Sequence, residues 1–373
     1  MKSRIIVPRI ATIENVALEL GDVVSVRNLA IAPLYGDSSF NDGAILIGEA
    51  IEKAKTPGAE GKFTITESDE VQSLTIKNEL GKRVFIAEGQ VVEGDSQNRM
   101  AVYSTLIPAY SSGINIPVRC VQHRQGLRTA SRYSGSHTVI MPSLRGNEPD
   151  QTWTTMITRD TYRPSEHTSR TQHTTWDTIT HATQVLNRTR ILDLRDVRKE
   201  NYCDVIANAR LEDYLEGLRQ TAEPGQIGYI AAVGRSDGKM DLYADVFGSH
   251  NHLSGLYEKL LSSVAFVARL HNQDSIDKHR REIDLKGVNQ DGLTSFLENI
   301  AKAQVDKVRK VGEPQTPLER ENGLPSYMWL DGEKEIRRTV GEGTLYRLKT
   351  EVDGSALVVE NNYAQVFAKH ILN

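Results

Sequence analysis

The sequence is poor in cysteine and has no long apolar run. Its 373 residues include only two cysteines, Cys120 and Cys203, which are too few for a disulfide framework, so a reducing cytoplasm is the expected setting. No stretch approaches the ~18 consecutive apolar residues of a membrane-spanning helix, and we expect no membrane partner. The start of the chain lacks an apolar core followed by a small-residue cleavage site, and it predicts no signal peptide.

The chain also lacks a net positive charge, and its formal net charge of −4 argues against bulk binding of nucleic acid. That average conceals one cationic segment. Residues 119–190 contain ten arginines and five acidic residues, a net +5, so that the remainder sums to −9. Lysine is absent between Lys82 and Lys199, and guanidinium groups bind phosphate or carboxylate through two parallel hydrogen bonds. The segment is either a solvated polar loop or a surface that faces phosphate groups.

Alternation of apolar and polar residues, broken by glycine-rich turns, predicts a first lobe of mostly antiparallel β-structure over residues 1–122. Consecutive short strands without helices between them are typical of an antiparallel sheet or sandwich. The predicted strands are 24–35, 62–67, 71–78, 83–87, 99–108 and 114–122, and a short helix is predicted at 45–55.

Residues 123–175, rich in Arg, Thr and His, predict a connecting segment, and residues 176–373 predict a mixed α/β lobe with amphipathic helices. The predicted helices are 175–190, 205–221, 253–268 and 293–311, and the predicted strands are 227–233, 240–247, 344–350, 356–360 and 363–368. The expected fold class is therefore α+β.

The densest polar motif is Glu-Gly-Gln-Val-Val-Glu-Gly-Asp-Ser-Gln-Asn-Arg at residues 88–99. Its two glycines permit unusual backbone angles, and five polar residues in a row exceed what a plain hairpin needs. The motif predicts a ligand-contacting loop. The alternative is a networked turn whose side chains satisfy buried backbone groups. The predicted ligand contacts are Glu88, Gln97, Asn98 and Arg99.

A second cluster follows at residues 116–124, where a strand is predicted. On a strand Arg119 and His123 share one face and Cys120 lies on the other, so we expect Cys120 to be a packed small side chain rather than a nucleophile. The predicted phosphate contacts are Arg119, His123 and Arg124. His167, His173 and His181, at spacings of six and eight, fit no compact metal motif, and no metal site is predicted.

These runs together resemble a known family. Residues 88–99, the Ser-Thr-Leu-Ile-Pro run at 104–108 and the Ile-Pro-Val-Arg-Cys-Val run at 116–121 are similar to the ARG and rhodanese-phosphatase-superfamily-associated protein domain family. Weaker likeness extends over roughly residues 25–373, which makes the two predicted lobes parts of one unit. The resemblance implies association with ADP-ribosylglycohydrolases and phosphatase-like enzymes, and it agrees with the arginine-rich segment because ADP-ribose carries a diphosphate.

The sequence departs from the family pattern at Gln90 and Gln122, where the resemblance implies glutamates. An amide cannot act as a general base. If the glutamates are catalytic in relatives, this chain is a binder that has lost the chemistry, and if they are structural, the change is mild. Three functions stay open. The chain binds a nucleotide or ADP-ribose-like phosphate ligand; or it is a non-enzymatic structural or interaction protein that forms a homo-oligomer; or it is a metal-dependent hydrolase that uses Glu88, Glu93 and Asp95.

Overall fold

The computed structural model describes residues 4–7, 16–38, 40, 43–67, 72–95, 97–122, 133–145, 166–189, 191, 201–235, 237–276, 290–302, 304–311, 328–331, 334–337, 343–349, 353–359 and 362–372. Strands and helices both contribute, and the predicted α+β class is confirmed. Among the described helices there is none whose length and apolar character would carry it across a bilayer.

Ten strands form a central antiparallel sheet that draws on both ends of the chain. Their order is β1 (Arg4–Val7), β2 (Val16–Leu20), β4 (Leu29–Tyr35), β14 (Gln226–Gly234), β15 (Met240–Phe247), β21 (Asn362–Leu372), β20 (Asp353–Val359), β19 (Gly343–Lys349) and β16 (Gln304–Val311), with β3 (Val24–Val26) paired to β4. Strand β4 therefore pairs with a strand from the second half of the sequence.

Strand β14 lies near the middle of this sheet, and all nine of its residues are buried. Tyr229, Ala231 and Val233 belong to the core on one face, beneath helix α5 (His250–Ile276). Ile230 and Ala232 belong to the core on the opposite face, which also contains Leu293, Phe296, Leu297 and Ile300 of helix α6 (Gln290–Lys302). A strand covered on both faces reads as a continuous apolar run, as this one does.

A second sheet holds the polar motif. Its six strands are, in order, β13 (Tyr133–Val139), β9 (Gln90–Gly94), β10 (Arg99–Ala101), β12 (Ser111–Cys120), β7 (Ser73–Asn78) and β6 (Phe63–Glu67), all antiparallel. The two outer strands contact each other, and the Tyr133 hydroxyl donates a hydrogen bond to Glu67 at 2.6 Å. The sheet is thus curled towards a barrel.

The remaining elements cover and connect these sheets. Strands β5 (Ile45–Leu46), β8 (Val84–Ile86) and β11 (Thr105–Ile107) form a three-stranded sheet, and β17 (Met328–Asp331) pairs with β18 (Lys334–Arg337). The other helices are α1 (Ile47–Lys53), α2 (Glu166–Arg188), α3 (Tyr202–Ala207) and α4 (Glu212–Leu215), with a 3-10 turn at Pro142–Leu144. A third apolar core fills the curled sheet.

Two strand predictions were wrong because a turn interrupts each of them. The predicted strand 24–35 is the hairpin β3–β4, which turns at Arg27 with φ 54°. The predicted strand 99–108 is β10 followed by β11, and these belong to different sheets. The other predicted strands that lie among the described residues are confirmed as strands, with Val71 outside those residues.

Two helix predictions were wrong as well. The predicted helix 205–221 is the pair of short helices α3 and α4, separated at Arg210, whose φ is 50°. Leu211, Tyr214 and Leu218 are still buried together, which explains the helical spacing of apolar residues. The predicted helix 293–311 ends at Lys302, and the chain continues as β16 because that segment pairs with β19. The division of the chain into lobes at residues 122 and 176 stays a prediction.

Candidate functional site

The motif at residues 88–99 forms a β-hairpin rather than one long loop. Strand β9 begins at Gln90 and β10 begins at Arg99, with Arg99 opposite Val92. Gly89 precedes β9 with φ 78°, and a Cβ atom there would lie 2.7 Å from Cδ of Arg145. Glycine is therefore required at this position both for its backbone angle and for the close approach of Arg145.

Five side chains meet at one end of the curled sheet, and we call them the Arg99 cluster: Glu67, Gln97, Arg99, Cys120 and Tyr133. Topology brings them together, since Glu67 and Cys120 are the last residues of β6 and β12, while Arg99 and Tyr133 are the first of β10 and β13. Arg99 and Cys120 face each other in the register of β10 and β12. The sequence predicted Gln97 and Arg99 here but gave no sign of Glu67 or Tyr133.

The Arg99 guanidinium makes most of the contacts in this cluster. Its Nη1 donates to Gln97 Oε1 at 2.5 Å and also to Cys120 Sγ, while Nη2 lies 3.3 Å from both carboxylate oxygens of Glu67. Nε is buried and has no hydrogen-bond partner among the described residues. Arg99 is only 3% exposed, whereas the Glu67 side chain is 23% exposed. The cluster thus extends from the interior to solvent through Glu67.

Cys120 is held firmly within the cluster. Its backbone N–H donates to Gln172 Oε1 at 2.9 Å, and Gln172 Nε2 donates to the Cys120 carbonyl at 2.8 Å, which fastens β12 to helix α2. Burial raises the pKa of the Cys120 thiol, and the Arg99 charge offsets part of that rise. Cys120 is buried as predicted, and a protonated thiol is a poor nucleophile.

A second buried arginine, Arg145, is paired more closely with a carboxylate, although its Nε, like that of Arg99, has no hydrogen-bond partner among the described residues. Its Nη1 and Nη2 donate to the two oxygens of Asp245 at 2.9 and 2.5 Å, and neither side chain has any exposed surface. Asp245 also accepts from the Tyr229 hydroxyl at 2.8 Å and from Gln365 Nε2 at 2.9 Å. The guanidinium lies 3.9 Å from the ring centroid of Phe367. Despite burial, which alone would lower it, the Asp245 carboxylate keeps the pKa of Arg145 above its usual value.

Glu88 belongs to this second network and not to the Arg99 cluster. Its carboxylate accepts a hydrogen bond from the Ser355 hydroxyl, and it is among the charges that act on Arg145. Its backbone N–H donates to Ser104 Oγ at 3.1 Å, and Ser104 in turn donates to Gln365 Oε1 at 2.5 Å. The structure therefore separates Glu88 from Gln97 and Arg99, which the sequence had grouped together.

The other predicted contacts, like Glu88, lie outside the Arg99 cluster or outside the described residues. Asn98 donates through Nδ2 to Asn201 Oδ1 at 3.2 Å and accepts from the Gly94 N–H at 3.2 Å, so it joins the hairpin to the start of α3. Arg119 is buried on β12 opposite Met100, and as the neighbour of Cys120 it lies on the other face of that strand. His123 and Arg124 lie outside the described residues.

The two glutamines at positions where the resemblance implies glutamates are both buried. Gln90 is fully buried, accepts from the Ala87 N–H at 3.1 Å and donates to Ser136 Oγ at 2.9 Å. Gln122 is also buried, and it forms an isolated β-bridge with Asn201. An amide can donate and accept at once, which is what Gln90 does.

The described residues contain no group of three or more His, Cys, Asp or Glu side chains arranged to hold a metal ion. The three acids proposed for hydrolysis have separate surroundings: Glu88 accepts from Ser355, Glu93 accepts from the His137 N–H at 3.2 Å, and Asp95 is exposed. Nothing in this geometry favours a shared reaction centre.

Comparison with known proteins gives one match. The family model described as ARG and Rhodanese-Phosphatase-superfamily-associated Protein domain matches residues 17–369, nearly the whole chain. The chain matches no curated protein and no solved structure.

Proposed function

Because the chain belongs to the ARG and rhodanese-phosphatase-superfamily-associated protein domain family, we propose that it binds a small phosphate-bearing molecule of the nucleotide or ADP-ribose type at the Arg99 cluster. The family description names an association with ARG and with the rhodanese-phosphatase superfamily. This is association and not mechanism, so the chemistry of the cluster has to carry the proposal.

The supporting observation is that Arg99 is paired less closely with a carboxylate than Arg145 is. Arg145 has a bidentate carboxylate at 2.5 and 2.9 Å with no exposed surface, whereas Arg99 has one carboxylate at 3.3 Å that is partly exposed. An ion pair at 3.3 Å with a partly exposed carboxylate stabilises Arg99 less than a close, buried, bidentate pair would, and an anionic ligand that reached Arg99 would add to that stabilisation. Guanidinium groups suit this role because their fixed fork matches phosphate oxygens.

Access and neighbouring sequence favour the same site. Glu67 is exposed by 23%, so a ligand that displaced its carboxylate would meet the Nη2 atom of Arg99. His123 and Arg124 follow Cys120 by three and four positions in the sequence, and we propose them as further contacts for a diphosphate. Both cysteines are free thiols in the structure, in agreement with the cytoplasmic location that we also propose.

The first test measures binding of ADP-ribose, ADP, NAD and inorganic phosphate by calorimetry and by thermal shift. We expect at least one of the nucleotides to bind the wild type, and Arg99→Gln to weaken that binding by ~1.5–3 kcal/mol, as for a lost charged hydrogen bond. The matched control is Arg235→Gln, since Arg235 pairs at the surface with Asp237 at 2.9 Å. Binding that is equal in wild type and Arg99→Gln would contradict the proposal.

A second variant separates ligand binding from a merely structural role. Glu67→Gln removes the carboxylate that competes with the ligand for Arg99, so we expect it to bind the nucleotide more tightly while the unliganded protein becomes less stable. If Arg99 were only structural, Glu67→Gln would lower stability without any gain in affinity. This variant also remains informative if Arg99→Gln fails to fold.

A non-enzymatic structural or interaction protein that self-associates is the second candidate. The observation that favours it is the burial of Asn98, Arg119 and Gln90, of which Asn98 and Gln90 form hydrogen bonds to neighbouring strands and turns. Light scattering tests it directly. A homo-oligomer without nucleotide binding would favour this candidate, and a monomer that binds nucleotide would favour the first.

A further inference from the structure

A separate pocket of about 200 Å³ lies between strand β4 and helix α5, and we call it the β4 pocket. Ile31, Pro33 and Tyr35 line it from alternate positions of β4, which places them on one face of the strand. Tyr257 and Leu261 line it from positions one turn apart on α5. Most of the wall is therefore aliphatic or aromatic.

The remaining lining is charged, and its charges are unequally paired. The Tyr35 hydroxyl donates to Glu223 Oε2 at 2.7 Å, and Arg219 forms an ion pair with the same carboxylate. Asp22 is exposed and makes no hydrogen bond or ion pair with any residue that the structure describes. Two carboxylates and one guanidinium leave the pocket with a net negative charge.

The two tyrosines are held in fixed positions before any ligand arrives. A Cβ atom on Gly21 would lie 2.7 Å from the ring of Tyr35, so this ring packs directly against backbone. The Tyr257 ring meets that of Tyr229 edge to face, with centroids 6.0 Å apart, and Tyr229 is bonded in turn to Asp245. A preformed aromatic wall lowers the cost of binding.

We propose that the β4 pocket binds a small organic cation, a quaternary amine with a short apolar body. Ammonium groups are attracted to tyrosine rings and to an unpaired carboxylate, and the pocket offers both. The pocket is less suited to an anion, because Arg219 and the Tyr35 hydroxyl, which could donate to it, are both already paired with Glu223. The volume of about 200 Å³ lies below the roughly 300–1,000 Å³ of sites for drug-sized ligands, so the cation is small.

The test uses the full-length protein with choline, tetramethylammonium and 3,3-dimethylbutan-1-ol, the neutral counterpart of choline, and measures affinity by calorimetry and ligand-observed NMR. We expect saturable binding of choline and at least fivefold weaker binding of the neutral alcohol. Asp22→Asn should weaken choline binding by about two- to fivefold, the range of an exposed ion pair. Asp37→Asn, which changes an exposed aspartate outside the pocket lining, should leave it unchanged.

Three results would each overturn this proposal. They are no saturable binding of either cation, equal affinity for choline and its neutral counterpart, and equal choline affinity in wild type and Asp22→Asn. Asp22 is exposed, so its replacement leaves the fold intact, and a thermal unfolding curve checks this. The β4 pocket shares no residue with the Arg99 cluster, so failure here leaves the nucleotide proposal standing, and the reverse holds as well.

Discussion

Gly89 leaves room for the buried aliphatic stem of Arg145, and it does so with a backbone angle that other residues seldom adopt. Its φ is 78°, and an added Cβ would lie within 2.9 Å of both Cδ and Cγ of Arg145 and of Ile140. The backbone conformation at the start of the polar motif is thus coupled to Arg145, which lies 56 positions later in the sequence.

Gly89→Ala should lower the free energy of unfolding by more than the strain of a left-handed alanine alone. That strain is ~1–2 kcal/mol, and overpacking against Arg145 adds ~1–3 kcal/mol. Urea denaturation measures the loss. The matched control is Gly58→Ala, since Gly58 has φ 80° but nothing within 4 Å of its Cβ position. Equal losses in the two variants would show that the Arg145 contact is unimportant.

Cys203 makes stability depend on alkaline pH. Burial and the nearby Glu93 carboxylate raise the pKa of its thiol to about 12. The folded thiol therefore stays protonated while the unfolded one ionises from its ordinary pKa of ~8.5. Stability should be undiminished below that value and fall as the pH rises towards 12.

We therefore expect Cys203→Ala to reduce the alkaline loss of stability, measured as the change in urea midpoint between neutral and alkaline pH. Burial also raises the pKa of Tyr214 to about 12, so part of the loss remains in the variant. A variant whose alkaline loss matches that of the wild type would contradict this assignment.

Helix α5 is the element that joins the molecule's parts, because it contacts the central sheet, the curled sheet through β13, and helices α2, α3 and α4. Its inward face is fully buried through Leu253, Leu256, Leu260 and Leu261. A buried face of this kind is visible in the sequence as apolar residues at helical spacing, and this spacing predicted the helix.

Leu260→Ala should cost ~2–5 kcal/mol of folding free energy, as expected for a fully buried leucine in a close-packed core. Chemical denaturation measures the loss. Ser254→Ala on the exposed side of the same helix serves as the control and should change stability by less than ~0.5 kcal/mol. A loss below ~1 kcal/mol for Leu260→Ala would mean that the site collapses around the smaller side chain.

Local sequence patterns predicted an element well where the same pattern of buried and exposed positions continues along the whole segment. The strand at 240–247 and the helix α5 were both predicted because their apolar residues keep one spacing throughout. Prediction failed where the environment changes within a segment. The spacing of Leu211, Tyr214 and Leu218 indicates one helix, yet Arg210 adopts a left-handed conformation and its carbonyl accepts a hydrogen bond from Arg269.

Membership of the candidate site could be predicted only in part for a related reason. Gln97 and Arg99 were recognisable because they lie together in one dense motif. Glu67, Tyr133 and Gln172 join them through the curling of the sheet and the docking of α2, which no local pattern encodes. Glu88 was grouped with them by sequence proximity, but strand pairing directs it to Ser355.

At the scale of the whole molecule, β21 is the strand on which both halves of the central sheet depend. It pairs with β15 on one side and β20 on the other, and it supplies Gln365 and Phe367 to the Arg145 network. Its position at the end of the chain does not make it peripheral.

Deletion of residues 362–373 should therefore prevent folding rather than trim the protein. The loss exposes the edges of β15 and β20 and removes a hydrogen-bond donor from buried Asp245. Circular dichroism and gel filtration of the truncated chain would test this, with deletion of Asn373 alone as the control. A soluble truncated chain with native-like unfolding would show that β21 is dispensable.

The pairing of β4 with β14 also has a consequence during synthesis. About 190 residues separate the end of one strand from the start of the other. At typical bacterial-to-eukaryotic translation speeds, strand β4 emerges from the ribosome roughly 10 to 40 s before its partner. During that interval one edge of the apolar strand β4 has no partner strand, which favours aggregation. Charged residues, chaperones or pairing with β3 must protect the nascent chain until β14 is synthesised.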